Sequence, residues 1–258
     1  TENSSSYTEK EDYEVFGSLL LKTSFPLKKI NEYTQDYLKP IMALRYSPNN
    51  TKNISDKDVR LDYNNIFSLN RIGTNEIVEG GKSISIGLEY EKRDLDNRKF
   101  VGLNIANSIS DKKNHSLPTK SKLNEKRSDI VGNLFYSPNN ILNFNYNFSY
   151  DKNFDSSNYD SISTSINLNN FNIDFNFLSE DGNIGNNEII SNTTKYSFNS
   201  ENSLKFETSK DLKNDFTEYY NLIYAYETDC LIASLEFNKK FYRDGSLVPN
   251  KSLLFTIR

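Results

Sequence analysis

Apolar and polar residues alternate with period two along most of this chain. Residues 143–150 read NFNYNFSY: Phe144, Tyr146, Phe148 and Tyr150 fall on one side of an extended backbone, and Asn143, Asn145, Asn147 and Ser149 on the other. Residues 161–168 (SISTSINL) set Ile162, Ile166 and Leu168 against Ser161, Ser163, Ser165 and Asn167. Residues 171–177 (FNIDFNF) set Phe171, Ile173, Phe175 and Phe177 against Asn172, Asp174 and Asn176. Between the last two lies Asn169-Asn170. Asn tolerates left-handed backbone angles, so this pair predicts a two-residue hairpin turn with Leu168 facing Phe171 on the apolar side.

Extended to the whole chain, the pattern predicts thirteen strands, at 15–26, 36–47, 82–93, 98–109, 128–137, 141–151, 158–168, 171–179, 188–199, 202–210, 216–227, 230–243 and 251–258. Residues 1–14 are expected to form a polar loop ahead of them. From residue 48 onward, tight and longer connections alternate. In an up-and-down sheet, successive hairpins point to opposite ends, so one end is expected to carry turns and the other loops. Helical periodicity is weak throughout; residues 62–70 (DYNNIFSLN) predict at most a short helical turn inside the long loop 48–81. That loop is expected to fold inward or over the mouth of the sheet. Pro40 and Pro48 are assigned to strand starts and ends, where a missing N–H breaks pairing.

The fold class this predicts is all-β, an antiparallel up-and-down transmembrane barrel seen in part. A soluble sandwich also alternates, but its strands average about 5–6 residues. Those predicted here run longer, in the range of about 9–11 residues that crosses a bilayer when tilted. Short turns at one end and longer loops at the other are the outer-membrane pattern. Tyr46, Tyr90, Tyr136, Tyr150, Tyr226 and Phe241 sit near strand ends, where aromatic rings favour the headgroup level. Asn143, Asn145, Asn147, Ser163, Ser165, Asn172, Asp174 and Asn176 are expected to face a water-filled lumen as ordinary lining. An odd number of strands with two free edges predicts a portion, 15–258, of a larger barrel.

Composition narrows the chemistry. The 258 residues are 36% hydrophobic, with 17 Phe, 17 Tyr and 37 Asn, but a single Cys, Met and His. No apolar run approaches the roughly 20 residues of a membrane-spanning helix. One Cys and one His exclude a disulfide-dense scaffold and a Cys/His zinc site. A net charge of −4 without a basic block gives no electrostatic footprint for nucleic acid. No enzyme is expected: His115 lies in a Lys-rich loop (DKKNHSLPTK), without a nucleophile paired to it, and no cofactor is implied. On pattern alone, a general porin or nutrient-uptake barrel explains these features equally well.

Two segments add a resemblance. Residues 38–48 (LKPIMALRYSP), Asp62-Tyr63-Asn64-Asn65-Ile66-Phe67, Asn70-Arg71, Gly87-Leu88-Glu89-Tyr90 and Arg93-Asp94 follow the pattern of the C-terminal barrel of LptD, the LPS-assembly family of outer-membrane proteins also called organic solvent tolerance proteins. Residues 229–244 (DCLIASLEFNKKFYRD), Pro249 and residues 252–256 (SLLFT) resemble its last two strands in alphaproteobacterial form. The resemblance implies a protein of the bacterial outer membrane that assembles lipopolysaccharide. It also implies a plug lipoprotein of the LptE kind, a periplasmic Lpt bridge reached through an N-terminal domain, and the barrel-assembly machinery as partners. Export is implied through a lateral seam, of which Lys251, Ser252, Leu253, Leu254, Phe255, Thr256, Ile257 and Arg258 would form one lip. Cys230, at the start of a strand and at the rim of the lumen, is implied as an interdomain disulfide residue. The family often has two adjacent Cys there, and this chain has one.

Overall fold

The computed structural model describes residues 17–73, 78–180, 186–241 and 249–258. The expected polar loop 1–14, and the first residues of the strand expected from 15, lie outside them. Among the described residues there are fourteen strands: β1 (Leu19–Ser24), β2 (Leu27–Ile30), β3 (Thr34–Ser47), β4 (Gly81–Asp94), β5 (Lys99–Ser110), β6 (Ile130–Tyr136), β7 (Leu142–Tyr150), β8 (Ser157–Leu168), β9 (Phe171–Glu180), β10 (Asn187–Ser197), β11 (Asn202–Asp211), β12 (Phe216–Thr228), β13 (Leu231–Lys240) and β14 (Asn250–Ile257). All belong to one antiparallel sheet, in which β3 to β14 follow in chain order and both β1 and β2 pair with β3. The sheet is not closed: β14 ends one edge, and β1 with β2 the other. Twelve of the thirteen expected strands are present near their expected bounds. A single sheet disposes of the sandwich alternative.

The thirteenth, expected at 15–26, is present in its described part as β1, but residues 27–35, expected as a connection, hold a further strand, β2. The edge is one broken strand, with β1 along Ile41–Tyr46 and β2 along Gln35–Leu38, and the hairpin to β3 lies at 31–33. Pro40 explains the break. It sits inside β3, opposite Leu88, and not at a strand end. Its carbonyl accepts the Phe25 N–H at 3.0 Å, so its hydrogen-bonding side faces the edge. The N–H that proline lacks is therefore missing on that side, where β1 stops and β2 begins. Pro48, in contrast, follows the last residue of β3 as expected.

Directly paired residues share a face, so the register assigns both faces of the sheet. One carries Met42 with Ile86, Leu88 with Ile105, Tyr146 with Ile162, Ile166 with Ile173, Leu222 with Phe237, and Leu235 with Phe255. Many of these apolar side chains are exposed, among them Met42, Ile86, Leu222, Leu235 and Phe237. All six aromatics singled out at strand ends lie on this outer face, Phe241 by packing edge-on against Tyr220. Strand β10 departs from the pattern, presenting Asn192 and Thr194 outward beside Phe175 and Ile173.

The opposite face is polar over β7–β13 and covered over β3–β6. There the buried core lies between sheet and loops. Ile41 and Ala43 of β3, Ala106 of β5 and Val131 of β6 meet Ile54, Leu61, Ile66, Phe67 and Ile72 of the connection 48–80, and Leu117 and Leu123 of the connection 111–129. Both long connections thus fold onto the inner face, as expected of the first. Burying apolar side chains from irregular segments removes them from water and holds the loops down.

Candidate functional site: the inner face and its docked loops

The connection 48–80 is built around Asp62. Its Oδ1 accepts the N–H groups of Asn64 (2.8 Å) and Asn65 (2.9 Å), and its carbonyl accepts Ile66 N–H at 3.1 Å. Asn65 returns a side-chain bond to Arg60 O. This is capping chemistry on a single turn. The turn does not continue into a helix, so the expectation at 62–70 holds only as isolated turns. It presents Ile66 and Phe67 to the sheet and Tyr63 alongside them, edge-on to Phe67 at 5.7 Å. Gly87 makes room: a Cβ there would stand 2.5 Å from Phe67 Cζ and 2.8 Å from the Ile105 carbonyl oxygen. Tyr63 donates to Glu89, which also takes Lys39 at 2.8 Å. Burial first, and then the Glu89 carboxylate, push the Tyr63 hydroxyl well above its ordinary pKa.

Arg71 fastens the same connection to the wall. Its guanidinium takes both carboxylate oxygens of Glu79 and donates to Ser108 Oγ at 2.5 Å and to Ser83 Oγ at 3.3 Å. Arg45 of β3 reaches Glu79 at 2.7 Å. All three charged side chains are at most 4% exposed. Two cations on one carboxylate leave net positive charge; serines of β4 and β5 supply further acceptors to Arg71, while the buried Arg45 Nε has none.

A second anchor reaches across to β8 and β9. The Arg60 guanidinium stacks 3.8 Å above the Tyr159 ring, and its Nη1 lies 3.0 Å from Glu180 Oε1. Lys120, in a turn of 3₁₀ helix in the other connection, meets the same Glu180 oxygen at 2.6 Å and also pairs with Asp58. Burial acts to lower the Lys120 pKa, but Asp58 and Glu180 outweigh it and hold the ammonium above its ordinary value. The two connections are thereby tied to each other and to the inner face from β3 to β9.

The expected lining residues come together on that face. Asn143 pairs with Ser165, Asn145 with Ser163, and Asn172 with Asn167. Asn147 lies in the same row, and Ser165 and Ser163 donate at 2.6 Å to Asp174 and Asn176. The expected seam strand is β14. Leu253, Phe255 and Ile257 point outward opposite Phe237, Leu235 and Ala233, while Ser252, Leu254 and Thr256 point inward; Lys251 pairs with Lys239, and Arg258 bonds Ile232 just beyond the strand. One expectation is corrected. Cys230 does not begin a strand on the inner side; it is exposed in the two-residue turn between Thr228 and Leu231, at the end of the sheet that carries the tight turns. The strand starts only at Leu231, because that turn needs two residues. His115 lies in the connection 111–129, away from any group of metal ligands among the described residues.

The charged anchors were missed by sequence reading. Arg71 was noted only as part of an Asn-Arg pair, while Arg45, Glu79 and Glu180 carry no local signal, since their partners are 8 to 120 residues away.

No curated protein matches the chain. A family model described as LptD, LPS transport system D, matches residues 17–194. The match contains the segment 38–94, with its docked turn and Arg71, and stops short of 228–256. It covers more than half of the chain, which therefore belongs to the LptD family of the lipopolysaccharide transport system.

Proposed function

We propose that the protein delivers lipopolysaccharide into the outer leaflet of the bacterial outer membrane, the sugar passing along the polar inner face and the acyl chains entering the bilayer through a lateral seam. The observation that carries this reading is the division of one sheet between an exposed apolar outer face and an inner polar face roofed by its own loops, in a chain of this family. Asn143, Asn145, Asn147, Ser163, Ser165, Asn172, Asp174 and Asn176 then line the path as sequence-tolerant hydrogen-bonding groups. The β14 residues from Lys251 to Ile257, with Arg258, form one lip of the seam, and a lipid with a bulky polar head leaves a barrel only where inter-strand bonds are few.

On this reading the turn end of the sheet is periplasmic. Exposed Cys230 then lies where a periplasmic domain can reach it, and an interdomain disulfide there needs a thiol from outside residues 1–258. The partners are an LptE-like plug lipoprotein within the barrel, the periplasmic Lpt bridge, and the barrel-assembly machinery during insertion.

Depletion of the protein in its own cells, followed by surface labelling of lipopolysaccharide, tests the function. Loss of newly delivered lipopolysaccharide is expected; an unchanged surface would sink it. Planar-bilayer recordings separate the porin alternative, which requires a steady open pore, whereas docked loops across the inner face favour a closed one.

A further inference from the structure

The apolar outer face has a polar break at β10. This strand sends Ile190, Asn192 and Thr194 outward, paired with Phe177, Phe175 and Ile173 of β9. On its other side Asn192 pairs with Thr208 and Thr194 with Phe206 of β11, and Thr208 pairs in turn with Tyr220 of β12. Asn192 is the sixth of the eleven residues of β10. It therefore sits midway between the loop end and the turn end, at the centre of the apolar band, about 25 Å tall, that an outer-membrane wall presents. Asn192, Thr194 and Thr208 are shorter than the rings beside them. They leave a shallow groove between two aromatic ridges, Phe175 and Phe177 on one flank and Phe206 and Tyr220 on the other.

The amide of Asn192 is unfinished in a way its neighbours are not. Thr194 Oγ1 donates to its Oδ1 at 3.0 Å, but its Nδ2 has only a contact of 3.5 Å with the Asp174 carbonyl oxygen, at the outer limit for a hydrogen bond. Other polar side chains of the outer face are held closely by the protein itself. Asn107 donates to the Ser128 carbonyl oxygen at 2.7 Å, Thr208 donates to the Tyr219 carbonyl oxygen at 3.1 Å, and Asp36 accepts the Tyr90 hydroxyl at 2.7 Å. Hydrocarbon chains offer an amide neither donor nor acceptor, so a loosely held one on a lipid-facing wall marks a contact with protein.

Depth selects the occupant. Copies of one membrane protein insert in one orientation, so a twofold axis relating two of them runs along the membrane normal. Each residue then faces a neighbour at its own depth, and a residue on the contact line faces its own equivalent. One amide carries both a donor and an acceptor, so the mid-depth Asn192 of a second copy supplies both at the depth where they are needed. We propose that two copies of this chain associate through β10, the two Asn192 amides bonding reciprocally, Nδ2 to Oδ1, with the β9 ridge of each copy against the β11–β12 ridge of the other. The interface goes beyond the transport reading and rests only on its lipid-facing wall.

Sedimentation equilibrium of the full chain in a density-matched detergent tests the association. A reversible monomer–dimer equilibrium is expected, weakened about tenfold by Asn192→Leu through the loss of two hydrogen bonds in an apolar medium, with an unchanged far-UV spectrum. Ile86→Ala, on the outer face of β4, is expected to leave it unaltered. A chain that stays monomeric overturns the proposal, as does an Asn192→Leu variant that associates as well as wild type. In proteoliposomes, Ile190→Cys in a Cys230→Ser background is expected to form a disulfide with its own equivalent under copper phenanthroline, whereas Ile86→Cys in the same background is not. Equal crosslinking of the two overturns the interface, and so does a crosslink from Ile190→Cys in native outer membranes to a different protein and none to itself. A membrane-impermeant maleimide separates this proposal from the reading beneath it. If Ile190→Cys and Ile86→Cys both resist the reagent and no dimer forms, the interface falls and the lipid-facing wall stands; if both react, the wall falls and the interface with it.

Discussion

Glu79 is the residue on which the docking of the 48–80 connection turns. It is the shared counter-ion of two guanidinium groups in a space from which water is excluded, and neither Arg45 nor Arg71 has another carboxylate within ion-pair distance among the described residues. Glu79→Ala is expected to cost about 3–5 kcal/mol, the usual penalty for stranding a buried charge. The connection then lifts from the wall while the hydrogen-bonded sheet persists. Limited trypsin digestion at neutral pH reads this directly: new cleavage after Arg60 or Arg71, with an unchanged far-UV spectrum, is the expected result, and equal resistance of variant and wild type would refute it. Gly87 makes a different kind of contribution at the same place. Gly87→Ala is expected to cost about 1–3 kcal/mol through overpacking, measured as the unfolding midpoint in urea. Adding Phe67→Ala relieves the ring contact but not the 2.8 Å approach to the Ile105 carbonyl. The double variant is therefore expected to lose less than the sum of the two single losses. Gly87 was visible in the sequence only as a glycine in a strand, and what it accommodates comes from a loop some twenty residues earlier.

The strands were legible because period two is a local signal that repeats over ten or more residues. The row from Phe144 to Tyr150 could be assigned to one face without knowing any neighbour. The edge was not, because Lys28 and Lys29 break the alternation of β2 and the effect of Pro40 is felt on another strand. The loops were legible still less: Ile54, Leu61, Ile66 and Ile72 follow no period and are buried only because two connections share one inner face. Their attachment to β9 is an element-scale property with a pH dependence. The folded pKa of Lys120 is raised, so its pairing with Glu180 and Asp58 contributes fully below the ordinary lysine pKa and is lost as pH rises through the higher folded value. The difference in melting temperature between wild type and Lys120→Met is therefore expected to be constant up to about pH 10 and to shrink above it. A difference that instead shrank toward neutral pH would assign the contact to another group. Glu180→Gln, which withdraws the partner of both Arg60 and Lys120, is expected to remove most of that difference at every pH in this range.

At the scale of the whole molecule, the face assignment is what suits one open sheet to serve as a membrane wall. A soluble protein rarely exposes contiguous apolar patches beyond a few hundred Å², yet here exposed apolar side chains run along the outer face of every strand pair from β3–β4 to β13–β14, interrupted at β10. The polar rows of β7 to β9 lie behind them, and successive residues alternate between the two environments. Single cysteines introduced into a Cys230→Ser background in proteoliposomes test this alternation over the length of the chain. Leu222→Cys, Leu235→Cys and Phe255→Cys are expected to react with a bilayer-dissolved maleimide and to resist a membrane-impermeant one. Asn145→Cys, Ser163→Cys and Asn176→Cys are expected to show the reverse. The pattern must change sign between neighbours: Ser234→Cys should side with the second group although it adjoins Leu235. Labelling that follows position along the chain instead of face would break the link between period-two patterning and a lipid-facing wall. The docked loops add a contrast that a simple lining could not produce. Ser85→Cys and Ser108→Cys share the inner face but lie beneath the connection 48–80, so the impermeant reagent should reach them only once Glu79→Ala has released it.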